Sequence, residues 1–235
     1  MTEDIAHHFR SVKAVIFDLD DTLVQSTVDF AKFKRLVMDR IASYGESRDD
    51  YSPNETVVAV LERFEERMTR KGVPQTEARR RLAELDKIMD AVEMEKVSET
   101  VAYEGAARLL SVLRSRGIKV GILTRGCLEY ADLALVKAQL AGLVDAVECR
   151  NSDTKAKPSP EAYMKLADAL GVDKSETVFV GDHPIDGNCA ANVGVPFIAV
   201  LTGDVPEETL RAAGAAAVFR NVAEMADWVK DTFAD

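Results

Sequence analysis

The chain has 235 residues, 47% of them hydrophobic and 30% charged, with a formal net charge of −10. Its composition is that of a soluble globular protein, and its charge argues against a general nucleic-acid or anionic-membrane partner. No apolar run approaches the length of a membrane span.

Met1 to Arg10 contains acids and the pair His7 and His8 but no apolar h-region, so no signal peptide is expected and the cytoplasm is the default. The histidine pair reads as exposed. Ala14-Val15-Ile16-Phe17 is a continuous apolar run, as expected for a parallel strand covered on both faces. It runs straight into Asp18-Leu19-Asp20-Asp21. From about Val24 to Ala102 the pattern turns helical. Phe30, Phe33, Val37 and Ile41 form one stripe that ends near Gly45. Ser52-Pro53-Asn54-Glu55 reads as a helix start, with Ser52 as cap, and Val57, Val58, Leu61, Phe64 and Met68 follow as the second stripe, ended by Gly72. Leu82, Leu85, Ile88, Met89 and Val92 form the third, and the charged residues between stripes, Lys32, Lys34, Arg35 and Arg40 among them, read as solvated faces.

After Tyr103 helices and short strands alternate. The reading is helix 106–116, strand 119–123, helix 128–141, a strand near Ala146, helix 160–170, strand 177–180, helix 187–193 and strand 196–200. A further strand is expected at Val218 and a closing helix at 223–233, with Trp228 packing on the core. This alternation predicts an α/β fold: a Rossmann-like parallel sheet with helices on both faces, made of residues 1–23 and 103–235. Residues 24–102 form an inserted α-helical domain. The cysteines Cys127, Cys149 and Cys189 have no C-x-x-C spacing, which fits buried thiols in a reducing compartment better than a disulfide or a zinc site.

The chemistry sits at strand ends. Asp18 and Asp20 follow the first strand, Thr124 follows strand 119–123, and Gly181-Asp182 follows strand 177–180, with Asp186 four residues on. Lys157 lies between them. In a parallel sheet these ends face one crevice. Magnesium prefers oxygen ligands and one or two carboxylates, which Asp18 and Asp182 can supply. A carboxylate at Asp18 can act as a covalent nucleophile in phosphoryl transfer, Asp20 can move the proton, and Thr124 and Lys157 can bind the transferring oxygens. Strand alternation would turn the Asp21 side chain away from the face shared by Asp18 and Asp20.

Asp18-Leu19-Asp20-Asp21-Thr22, Leu123-Thr124-Arg125-Gly126, Lys157-Pro158-Ser159-Pro160 and Gly181-Asp182-His183-Pro184-Ile185-Asp186 resemble, in order, the four motifs of the haloacid dehalogenase-like hydrolases, and within them the phosphoglycolate phosphatase-like phosphatases. The resemblance implies a helical cap inserted after the first motif. It also implies a nucleophile at Asp18, an acid/base at Asp20, phosphate binding by Thr124 and Lys157, and Mg2+ held by Asp18, the Asp20 carbonyl and Asp182, with Asp186 supporting the metal shell. It favours Lys157 over Lys155. Arg125 stands where relatives often have Asn and is either a substrate contact or a structural ion pair; His183 replaces a small polar residue, and Asp21 a glycine. The expected partner is a small phosphorylated metabolite, acted on by a monomer or homodimer. The alternatives are a phosphohexose mutase of the same superfamily and a non-catalytic binding protein on this scaffold.

Overall fold

The computed structural model describes residues 3–52 and 55–233. It divides into two compact units, residues 1–26 with 97–235 and residues 27–96.

The larger unit opens with a short helix, α1 (Glu3–Phe9), and the strand β1 (Ala14–Phe17). β2 (Val24–Gln25) leads out of this unit. The second unit contains α2 (Phe30–Ser43), α3 (Val57–Arg70) and α4 (Gln75–Met94). The chain re-enters the larger unit along β3 (Val101–Ala102), which pairs antiparallel with β2. The remaining order is α5 (Ala106–Ser115), β4 (Lys119–Leu123), α6 (Leu128–Lys137), β5 (Ala146–Glu148), α7 (Pro160–Leu170), β6 (Thr177–Gly181), α8 (Pro184–Val193), β7 (Phe197–Val200), α9 (Glu207–Ala212), β8 (Ala215–Phe219) and α10 (Val222–Thr232).

Six parallel strands form one sheet in the order β5-β4-β1-β6-β7-β8. β1 lies inside the sheet with all four residues buried, which is why its sequence is apolar without alternation. Phe17 pairs with Ile122 of β4 and Val180 of β6, so three strands end at one level. From β1 the chain next adds strands on the β4 side and then crosses to the β6 side. That reversal opens a crevice at the carboxyl end of β1. Ile16, Phe179 and Phe197 share a core with Tyr163 and Leu166 of α7, Val193 of α8 and Leu210 of α9. α5 packs against β4, α10 packs against β8 and against α5, and Trp228 meets Phe9 edge-on at 4.9 Å.

In the 27–96 unit, Phe33, Val37 and Ile41 of α2, Val60, Phe64 and Met68 of α3, and Leu85, Met89 and Val92 of α4 form one core. Most of the expected stripe residues lie in this core, but Val58 and Ile88 are half-buried outside it, Val60 takes a core place the stripe reading left out, and Phe30 is 56% exposed at the first position of α2. α3 begins later than expected. Thr56 is its cap, accepting from the Ala59 amide, while the Ser52 amide donates to the Glu55 carboxylate as part of a preceding turn. Pro53 and Asn54 lie outside the described residues. The charged faces are paired rather than merely solvated: Lys32 with Glu95, Lys34 with the Glu55 carbonyl, Arg40 with Glu84.

Other departures are local. α6 stops at Lys137, and residues 141–143 form a separate 3₁₀ turn. His8 is half-buried, with Nε2 3.4 Å from the Thr177 carbonyl, so only His7 of the pair is exposed. Cys127, Cys149 and Cys189 are all buried. Among the described residues no helix is long and apolar enough to cross a membrane.

Candidate active site

The site is assembled from loops that the sheet register brings together. The Asp18 amide donates to the Val180 carbonyl at 2.8 Å, tying the loop after β1 to β6. The Thr124 amide donates to the Glu148 carbonyl at 3.0 Å, holding the loop after β4 against β5. Beyond β6, His183 caps α8 in a reciprocal capping box: its Nδ1 accepts from the Ile185 amide, and its own amide donates to Asp186 Oδ2. The cap places Asp186 in the first turn of α8, fully buried. This is the role the structure gives His183. Burial, followed by the nearby Arg125 charge, holds its imidazole below the usual basicity.

Lys157 is 2% exposed, and its ammonium lies 2.5 Å from Asp18 Oδ1 and 2.8 Å from Asp186 Oδ1. Its neighbour Lys155 is exposed. Phe179 supplies the floor, its ring centroid 5.5 Å from the ammonium. Asp182 accepts from the Thr22 hydroxyl at 2.9 Å. Asp18, Asp182 and Asp186 each offer an oxygen, and these atoms lie within 4.8 Å of one another.

Three carboxylates around one ammonium leave excess negative charge in a buried place. Burial first, then neighbouring charges, raises Asp182 to about 8. Burial also outweighs Lys157 at Asp18, which rises to about 6. At Lys157 burial works against the charged form, but Asp18 and Asp186 prevail and hold the ammonium protonated well above its usual range. Hard oxygen donors clustered this closely, with their charge not fully offset, fit a small divalent cation such as Mg2+.

Asp20 accepts from the hydroxyl of Tyr130, a fully buried residue of α6. Burial raises Asp20 to about 7, with Asp18 adding to the rise and the Tyr130 hydrogen bond opposing it. Strand alternation does not govern Asp21. β1 ends at Phe17, and Asp21 sits at a turn with φ +55°, a left-handed conformation that glycine or Asp tolerates. Its Oδ1 accepts from the Ser26 amide at 3.1 Å and the Tyr103 hydroxyl at 3.4 Å.

Thr124 is buried, and its Oγ1 accepts from the Gly126 amide at 3.0 Å. Arg125 is half-buried beside it. Sequence reading did not single out Tyr130, Thr22 as a partner of Asp182, or Gly203, which packs against Asp182 Oδ2 so closely that a Cβ there would overlap it. The signal for Tyr130 was a phenol on the buried face of the helix after the second motif, where a hydroxyl needs a partner.

The profile of the haloacid dehalogenase-like hydrolases matches residues 12–194. The chain is 31% identical over 222 residues to the phosphoglycolate phosphatase of Rhodospirillum rubrum, covering 92% of this chain and 90% of the other. It is 27% identical over 209 residues to a pyrophosphatase of Bacillus velezensis, covering 86% and 89%. Its fold is similar to that of a hydrolase from Pseudomonas syringae, with a TM-score of 0.64 at 20% identity, covering 95% of this chain and all of the other. The match along most of the sequence and the parallel sheet with its acid-lined crevice lead to one conclusion: this chain belongs to the haloacid dehalogenase-like hydrolase family.

Proposed function

We propose that this hydrolase is a Mg2+-dependent phosphomonoesterase that cleaves a small phosphorylated metabolite through an aspartyl-phosphate on Asp18. The observation that carries the reading is the buried ammonium of Lys157 between Asp18 and Asp186, with Asp182 in the same cluster. Such an arrangement keeps one carboxylate ionised and oriented while placing a positive charge where phosphate oxygens would lie. Mg2+, held by Asp18, the Asp20 carbonyl and Asp182 with Asp186 in support, would neutralise charge on the phosphoryl oxygens.

In the first step an Asp18 oxygen attacks phosphorus, the bond from phosphorus to the leaving oxygen breaks, and Asp20 gives that oxygen its proton. In the second, water attacks phosphorus, its proton passes to Asp20, and the bond to Asp18 breaks. Thr124, whose Oγ1 already accepts from Gly126, would direct its hydroxyl proton to a phosphoryl oxygen, and Lys157 would hold another. A value near 7 suits a carboxyl that must give and retake a proton at neutral pH. The 27–96 unit, inserted between β2 and β3, serves as the cap.

The substrates named for two relatives, phosphoglycolate and pyrophosphate, both carry a second anionic group beside the phosphate to be cleaved. Arg125, next to Thr124, would meet such a group. Phosphate release from a panel of small phosphate esters with Mg2+, Mn2+ or Co2+ tests the proposal. Metal-dependent release is expected, with preference for esters bearing a second anion; no release from any ester with any of these metals contradicts it. Sugar isomerisation without phosphate release would point to a mutase.

The carboxylates also predict a pH effect on stability. Asp18, Asp20 and Asp182 are raised from 3.8 to about 6, 7 and 8, so the native state holds more protons than the unfolded chain. For the metal-free protein the stability from these groups is full below about pH 4 and is lost as pH rises through those values. Mg2+ competes with the protons, so its stabilisation is expected to be larger at pH 8 than at pH 5.5. At a hundredfold excess over Kd it amounts to about 2.7 kcal/mol, or roughly 5–10 °C in Tm for a chain of this size. Melting curves with and without Mg2+ at the two pH values check this, and a larger shift at pH 5.5 would contradict it.

Gly203→Ala tests the metal ligation from outside the cluster. The added methyl displaces Asp182 without removing a ligand. The Mg2+ concentration for half-activation is expected to rise roughly 10–100-fold. An unchanged half-activation concentration would count against Asp182 as a ligand.

A further inference from the structure

The Tyr130 hydroxyl reaches Asp20, and the loop around it is shaped to admit the ring. A Cβ at Gly126 would lie 2.7 Å from Tyr130 Cδ1 and 3.5 Å from Thr124 Oγ1. The ring therefore passes through the space that the absent side chain leaves, directly beside the proposed phosphate-binding threonine. Tyr130 is fully buried on α6, which Cys127 starts, so the ring has little freedom. Its hydroxyl donates to Asp20 Oδ1. The Ser26 side chain is a second hydrogen-bond partner of the same carboxyl.

We propose that Tyr130 is a positioning residue for Asp20: by holding Oδ1 it fixes the rotation of the carboxyl, so that Oδ2 is the oxygen that carries the transferable proton to the leaving group. The assignment rests on the phosphatase reading above. In the forming step the Oδ2–H bond breaks as the leaving oxygen gains its proton and its bond to phosphorus is lost. In the hydrolytic step Oδ2 takes a proton from water. Tyr130 keeps its own proton throughout. Its contribution therefore depends on how much the leaving group needs a proton. A dinitrophenolate departs almost unaided, whereas an alkoxide does not.

The experiment is a leaving-group series, from dinitrophenyl phosphate through phenyl phosphate to an alkyl phosphate, measured with the wild type, Tyr130→Phe, Asp20→Asn and the double variant. Tyr130→Phe is expected to keep nearly the wild-type kcat/KM, which reports the step that breaks the ester bond, on the dinitrophenyl ester and to lose up to about 100-fold in kcat/KM on the alkyl ester, the scale of a misplaced catalytic group. The substitution should add almost nothing in the Asp20→Asn background, because the two residues act as one unit. Equal losses on all esters, or equal losses with and without Asp20, would assign Tyr130 to packing and overturn the proposal. If Tyr130→Phe fails to fold, 2,3-difluorotyrosine at position 130 retains ring and hydroxyl while strengthening the donor. A changed leaving-group slope supports the assignment, and an unchanged slope overturns it. Failure of this inference is separable from failure of the phosphatase reading: a wild type that releases phosphate with a flat Tyr130→Phe profile loses only the role of Tyr130, whereas a wild type inactive on every ester loses both.

Discussion

Asp18→Asn is expected to lower turnover by roughly 10⁴-fold or more, because the variant loses the nucleophile itself and not one of its supports. The amide is nearly isosteric, so the fold should persist. The backbone of residue 18 still donates to Val180, and Lys157 retains Asp186. Two observations should accompany the loss. Substrate binding should survive, since Thr124, Arg125 and Lys157 are untouched. The metal-free protein should become somewhat more stable at pH 8, because one of the crowded carboxylates raised by burial is gone. Steady-state phosphate release reads the loss, and substrate binding by calorimetry and a melting curve read the two accompanying observations. Activity within tenfold of wild type would remove Asp18 from the centre of the mechanism.

Lys157→Met is expected to be nearly as damaging, for two separable reasons. The ammonium is almost entirely buried and contacts two carboxylates, so its removal leaves Asp18 and Asp186 facing each other without a counter-charge. Breaking a buried pair in this way costs about 3–5 kcal/mol. Asp18 can limit that cost by taking a proton, so its folded-state value, already raised by burial, rises further above that of the unfolded chain. The defect should therefore be smallest near pH 5 and grow as pH rises toward 8. Urea unfolding of the metal-free variant at the two pH values reads this directly, and a pH-independent defect would mean that the lost packing of the lysine stem, and not its charge, is responsible. The second reason is catalytic: the same charge would stabilise the phosphoryl oxygens during transfer, so kcat should fall by about 10²–10³-fold even where the variant is folded. Lys157→Arg should not restore it, since the planar guanidinium cannot fit the point between two carboxylates above the Phe179 ring.

Much of the architecture was legible in the chain because β1 and the strands beside it are buried on both faces and so carry unbroken apolar runs. The ends of those runs mark where polar residues collect. The order of the acids along the sequence, together with the rule that parallel strands share one carboxyl edge, was enough to expect that Asp18, Asp182 and Asp186 would cluster, as they do around one site with Lys157 on Asp18 and Asp186. What stayed hidden depends on details that no spacing encodes. The left-handed turn at Asp21 goes with the bridge between Asp20 and Val24 and the Ser26 and Tyr103 hydrogen bonds, so an argument from strand alternation does not apply there. The start of α3 at Thr56 and not Ser52 reflects competition between two good caps, which local preference cannot rank. Tyr130 is visible only once α6 is folded onto the first loop, since 110 residues separate it from Asp20. Gly203 and Thr22 act on Asp182 from loops whose sequence has no period at all.

The central claim is that Asp18 becomes phosphorylated during turnover. Acid quenching of the enzyme with a phosphorus-labelled ester and Mg2+, followed by peptide mapping, tests it most directly. The account predicts label on the peptide containing Asp18, released by hydroxylamine as an acyl phosphate must be, and absent from Asp18→Asn. Label on another residue, or rapid phosphate release with no labelled enzyme at any quench time, would contradict it.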